Sequence, residues 1–182
     1  MRVLTRGVAA LAVAVCLTAP AVQAQSAEFS LGGGLGIPTG NFDDAVKMGW
    51  QGMAAVSFKP ANLPVGLQLD GNYGQFSDES PLDIKDQLIY GTANAMYRFE
   101  SSEGTRFHPY LIGGLGVYNM KETGSDALGG SSTKFGINAG AGFDFKAGSA
   151  GLFLEGRFHD VFTDGPNVKF IPINLGVRFG GV

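Results

Sequence analysis

The sequence holds a single cysteine, Cys16, so no internal disulfide can form and a cysteine-built metal site is excluded. Charge is scarce as well. Asp, Glu, Lys and Arg make up 16% of the chain, against ~25% in an ordinary soluble domain. Bases are the rarer sign, 13 against 16 acids, which argues against nucleic acid as a partner, because phosphate binding needs a basic surface. Beyond residue 24 no apolar run reaches the ~18 residues of a spanning helix. If such a chain sits in a membrane it must do so as a closed barrel, the other structure that satisfies its backbone in lipid. Neither a helical period nor a repeat of roughly 20–50 residues is present.

The first residues read as a leader. Arg2 and Arg6 form a positive start, residues 7–17 are an apolar run, and Val22-Gln23-Ala24 is a small-residue cleavage site. The expectation is a cleavable signal peptide over 1–24 and a single mature domain over 25–182, beginning at Gln25. The run is too short for a retained anchor. Val15, just before Cys16, is not the small residue that lipoprotein processing requires. Losing Arg2 and Arg6 takes the formal net charge from −3 to −5.

Glycine is abundant, at 29 residues, roughly twice its usual ~7% share. With 14 Phe and 5 Tyr, this composition suits a β-protein whose outside is not bathed in water. Residues 170–179 show the pattern most clearly. Ile171, Ile173, Leu175, Val177 and Phe179 alternate with Pro172, Asn174, Gly176 and Arg178, so the stretch is a two-faced strand. It has about the ten residues that a tilted strand needs to cross a bilayer. Seven more such segments precede it, at 28–37, 50–58, 65–76, 86–99, 107–119, 134–146 and 151–160. The connections between them read as alternately long and short, the asymmetry of outer-membrane barrels. The expected fold is all-β, an eight-stranded antiparallel up-and-down transmembrane β-barrel.

Alternation alone does not say which face meets lipid, because a soluble lipocalin-like barrel alternates too, with its apolar face inward. The charges discriminate. Glu28, Asp70, Arg98, Asp144, Lys146, Glu155, Arg157 and Arg178 all lie on the face opposite the aliphatics, and that face is otherwise mostly Gly, Asn, Gln and Thr. Four acids and four bases balance, as a narrow closed interior requires. Eight strands enclose a space that side chains just fill, with glycines making room for Tyr90, Tyr110 and Tyr118. The expectation is therefore a plugged lumen with a structural ion-pair network. Phe58, Tyr97, Phe99, Phe143, Phe145 and Phe179 fall near one end of the apolar face and Trp50, Tyr73 and Phe135 near the other, as two interfacial belts would.

The runs His108-Pro109-Tyr110-Leu111-Ile112-Gly113-Gly114-Leu115-Gly116-Val117, Phe135-Gly136-Ile137-Asn138-Ala139-Gly140-Ala141-Gly142, Glu155-Gly156-Arg157-Phe158-His159 and the last strand through Phe179 resemble the small outer-membrane β-barrel domain family of OmpA/OmpX-like eight-stranded barrels. The resemblance implies residence in the outer membrane of a Gram-negative-type bacterium, contact with lipid and lipopolysaccharide, and insertion by the barrel-assembly machinery. That machinery reads a C-terminal strand ending in an aromatic. Here Phe179 is followed by Gly180, Gly181 and Val182, a departure from the pattern.

The search for chemistry yields no catalytic, cofactor-binding or metal residues. His108 sits at a turn beside Pro109. His159 lies on the lumen face with no serine nearby to complete a hydrolase. Gly34-Leu35-Gly36 precedes no helix and is no nucleotide loop. Asp43, Asp44, Asp78, Glu79, Asp83, Asp86, Glu122, Asp126, Asp160 and Asp164 outnumber Lys47, Lys85, Lys121, Lys134 and Lys169 in the long loops. This is a solvated rim, with cation sharing with lipopolysaccharide phosphates as the sharper alternative. The expected role is structural or surface-interacting, as a monomer without a cofactor. The alternatives are a secreted or periplasmic soluble barrel carrying an apolar ligand and, further off, a lipid-modifying barrel enzyme.

Overall fold

The computed structural model describes residues 27–43, 46–60, 63–77, 85–100, 105–123, 130–147 and 150–180. The proposed signal peptide over 1–24 lies outside them, and so do Asp44, Asp78, Glu79, Asp83 and Asp126. All eight strands form: β1 (Ala27–Thr39), β2 (Gly49–Phe58), β3 (Gly66–Ser77), β4 (Lys85–Arg98), β5 (Phe107–Thr123), β6 (Ser131–Ala147), β7 (Ala150–Val161) and β8 (Val168–Gly180). Each pairs antiparallel with its sequence neighbours, and β1 closes the barrel on β8 from Glu28↔Gly180 to Thr39↔Lys169. Closure leaves no free sheet edge around the wall.

One end of the barrel, the terminal rim, carries Ala27 and Gly180; the other, the loop rim, carries Thr39, Ser77, Thr123 and Val161. Two expectations are corrected at these rims. β5 runs on through Thr123 and β6 begins at Ser131, so half of the expected 120–133 loop is strand, with the two strands paired as far as Lys121↔Ser131. Loop-rim charges such as Asp86, Lys121, Lys134, Asp160 and Lys169 therefore lie on strands. The expected contrast of long and short connections also fails. Connection 99–106 at the terminal rim is no shorter than 78–84 at the loop rim. Both follow from one cause, because backbone pairing continues past the point where side chains stop alternating.

The facing is as the charges indicated. Leu175 is 62% exposed on the outer surface while Asn174 beside it is 1% exposed in the lumen. Phe29, Leu31, Leu115, Phe135 and Ile173 share the outer face; Gln51, Gln68, Asn94 and Glu155 share the inner one. A water-soluble barrel has the reverse arrangement, so the soluble carrier is ruled out. Outer aromatics pair at both ends, Trp50 with Tyr73 at 5.5 Å near the loop rim and Phe107 with Phe143 at 4.8 Å near the terminal rim.

Candidate functional site

The lumen is the one place where this fold concentrates polar chemistry, and its contents fall into tiers along the barrel axis. Nearest the terminal rim, Arg98 from β4 reaches across to Glu28 on β1 and, at 3.1 Å, to Asp144 on β6. Arg178 on β8 grips the same Asp144 with Nη1, at 2.7 and 2.8 Å to its two oxygens. Its Nε donates to Ser30 at 3.0 Å, and its guanidinium lies over the rings of Tyr110 (5.4 Å) and Phe153 (5.2 Å). Two guanidiniums and two carboxylates balance here.

The middle tier is built on Arg157 of β7. Its Nη1 donates to Asp70 on β3 at 3.0 Å, and its Nε lies 2.8 Å from Glu155 Oε1. That second approach is an ion pair whose N–H is misaligned, because neither Nε nor Oε1 has a hydrogen-bond partner. All three side chains are sealed from solvent. Two carboxylates on one guanidinium leave an excess negative charge, and neutral donors stabilise it. Asp70 accepts from Asn72 (2.7 Å), Thr92 (2.8 Å), Asn94 (2.8 Å) and Gln68 (3.4 Å). Among the described residues Glu155 accepts only from Tyr110 Oη, at 3.0 Å. Hydrogen bonds to an ionised acceptor are the strong kind, and a buried charge without them is costly.

Glycines make this crowding possible. A Cβ at Gly140 would run into the Arg157 Cγ at 2.7 Å, and one at Gly142 would strike the Tyr110 ring and the Leu154 carbonyl, the latter at 2.8 Å. Of the tyrosines expected to use such room, Tyr110 and Tyr118 do; Tyr90 instead stacks on Tyr118 at 5.2 Å.

The third tier, towards the loop rim, is aromatic. Phe76, Leu88, Tyr90, Tyr118, Val161 and Phe170 form one buried cluster. Val46, from the connection after β1, inserts into it with 1% exposure. His159 stacks on Phe170 at 4.7 Å, and its Nδ1 lies 2.8 Å from Tyr118 Oη. Its Nε2 has no partner. Below it Tyr90 donates to Gln51 (2.9 Å), which donates to Asn174 (2.6 Å).

Seven of the eight sequence-singled charges are thus brought together, in two groups joined through Tyr110. Lys146 is the exception. It is exposed at the terminal rim and forms no ion pair among the described residues. Its parity matches that of Asp144, but it stands one step nearer the open end, where water solvates its ammonium. Sequence reasoning placed Tyr90, Tyr118 and His159 inside but missed the apolar partners that complete the tier, Val46, Phe76, Leu88, Val161 and Phe170. Among the described residues no group of three His, Cys, Asp or Glu is placed to hold a metal. At the loop rim Lys134 pairs with Asp164, and Asp160 accepts from Asn167 at 2.9 Å.

A closed eight-stranded barrel with an apolar outside and an ionic, side-chain-filled inside is an integral membrane barrel. The chain belongs to the outer membrane protein beta-barrel domain family, whose model matches residues 8–179, and its place is the outer membrane. No curated protein matches the sequence. Among solved structures, Neisserial surface protein A is similar at a TM-score of 0.63 and 14% identity, covering 85% of this chain and 96% of that one. Ail, the attachment invasion locus protein of Yersinia pestis, solved with the heparin analogue sucrose octasulfate, gives 0.56 and 18%, covering 86% and 99%. The outer membrane enzyme PagL gives 0.56 and 18%, covering 84% and 98%. At these identities the likeness is one of fold.

Proposed function

We propose that this protein is a sealed outer-membrane barrel with a structural or surface-interacting role, neither a pore nor an enzyme. The observation that carries the reading is the filled lumen, in which two tiers of buried ionic side chains sit beneath a buried aromatic one. Planar-bilayer recording tests it: the purified protein should insert without steady ohmic conductance, and a stable conducting level would overturn the proposal. On this reading lipid and lipopolysaccharide contact the outer face, and the barrel-assembly machinery inserts the chain through β8. Because β1 closes on β8, no second chain is needed to satisfy an edge, which supports a monomer. Polyanions of the kind bound to Ail are poor candidates for a chain of net charge −3.

The fold is shared with an outer membrane enzyme, PagL, so the lipid-modifying alternative read from the sequence is the other reading, and the position of His159 counts against it. A lipid hydrolase needs its base within reach of the substrate, whereas His159 is fully buried between Tyr118 and Phe170. A His159→Ala strain should therefore keep the envelope lipid composition of its parent by mass spectrometry. A changed pattern would favour the enzyme.

A further inference from the structure

We propose that the loop-rim mouth of the barrel is a binding site for a small uncharged amphiphile. The aromatic tier that seals the lumen does not fill the mouth above it. A cavity of about 520 Å³ remains there, within the ~300–1,000 Å³ range of small-molecule sites, for which barrel mouths are a favoured place. Phe76 and Leu88 belong to both the seal and the cavity lining, so the seal is the floor of the site. Phe42, Met120 and Val168, each only partly buried, continue the apolar lining. Apolar side chains that line an open cup gain by being covered.

The shape of the wall says where an occupant enters. β4 and β5 stay paired up to Lys85↔Thr123, and β5 and β6 up to Lys121↔Ser131. On the other side, β6 and β7 pair only from Gly136↔Val161, and β7 and β8 stop at Val161↔Val168. The cup is thus high-walled at β4–β6 and low-walled at β7–β8. Outside the low wall stand the exposed rings of Phe135 and Phe162, in the position of an interfacial belt. The opening lies at the depth where molecules with an apolar body and a polar head collect.

The polar part of the lining sets the kind of head. Ser132 lies in the lining, the neighbouring Ser131 Oγ accepting from Asn119 Nδ2 at 3.1 Å, and Asp86 and Lys121 set one charge of each sign there. Opposite charges on one wall give no net attraction for an anion or a cation, whereas a hydroxyl such as that of Ser132 matches a head that both donates and accepts.

The test uses the folded full-length mature protein in lipid nanodiscs, with 1-decanoylglycerol as probe and ligand-detected NMR as readout. Empty nanodiscs correct for partition into lipid. The wild type should show a saturable component that empty discs lack. Met120→Trp and Val168→Trp, which fill the cup, should weaken that component at least tenfold while heat-modifiable gel migration stays intact. Leu115→Trp, on the lipid face, should leave it unchanged. Binding no greater than that of empty discs, or binding indifferent to both filling variants, overturns the site. Decanoate anion at pH 8 binding tenfold more tightly than the glycerol ester overturns the uncharged class. The sealed-lumen reading is judged separately by conductance, so the two can fail independently.

Discussion

Removing the Arg157 guanidinium should strand one carboxylate more than the other, and the structure says which. In Arg157→Met, Asp70 keeps its hydrogen bonds from Asn72, Thr92, Asn94 and Gln68. Glu155 keeps only the Tyr110 hydroxyl. Breaking a fully buried ion pair by removing one partner costs about 3–5 kcal/mol, most of it the penalty of the charge left behind. The single variant should lose stability on that scale. Adding Glu155→Gln should recover most of the loss, because the charge with fewest donors is then gone. Adding Asp70→Asn should recover much less, since it also disturbs an acceptor that four neutral donors already satisfy. The assay is guanidinium unfolding in lipid vesicles followed by the fluorescence of Trp50, the only tryptophan, which sits on the outer face with 52% exposure. Equal recovery by the two second substitutions, or a loss below about 1 kcal/mol for Arg157→Met, would refute the assignment of the excess charge to Glu155.

The facing is tested by a neighbouring pair. Leu175→Arg, on the lipid face, should cost about 2–4 kcal/mol near mid-bilayer, whereas Asn174→Ser, which keeps an uncharged polar group beside Gln51 and adds no carboxylate opposite Glu155, should cost less in the same unfolding assay. Equal costs would contradict the orientation. The glycine seats are tested by Gly142→Ala, whose new methyl meets Tyr110 and the Leu154 carbonyl and should cost about 1–3 kcal/mol, the usual scale of overpacking. Gly71→Ala is the control, with nothing within 4 Å of its added Cβ; it should lower neither folding yield nor stability.

The strands and their facing could be read from the sequence because lipid imposes a strict period of two wherever it touches the wall. Leu111, Leu115 and Val117 keep that period even in glycine-rich β5, and they are exposed on the outer face. The period stops where lipid stops. Lys121, Ser131 and Ser132 are polar on a stretch with water on both sides, so nothing in their side chains marked the ladder that continues through them. Parity also gives a face but no depth. It put Lys146 with Asp144, although only Asp144 is deep enough to need an ionic partner. The aromatic tier was within reach of the same rule: Phe76 shares its parity with Asp70 and Asn72, and Phe170 with Asn174. Attention to polar residues on the inner face hid the apolar ones among them.

The order of the tiers makes the seal more than the sum of its contacts. A solute entering from the terminal rim meets Arg98 and Arg178 first, both held on Asp144, then Arg157 between two carboxylates. A cation that displaced Arg157 would exchange one ionic partner for another, so the ionic tiers alone are a poor barrier to charge. The aromatic tier offers no such exchange. Tyr90, Tyr118, Phe170 and the inserted Val46 carry no charge to replace a hydration shell, and stripping an ion in an apolar site is costly. An apolar solute meets the converse difficulty, since it passes rings readily but must break buried ion pairs below them. On the sealed-barrel proposal each class of solute is stopped by the tier that the other could cross, so a path open to both requires two rearrangements at separate depths.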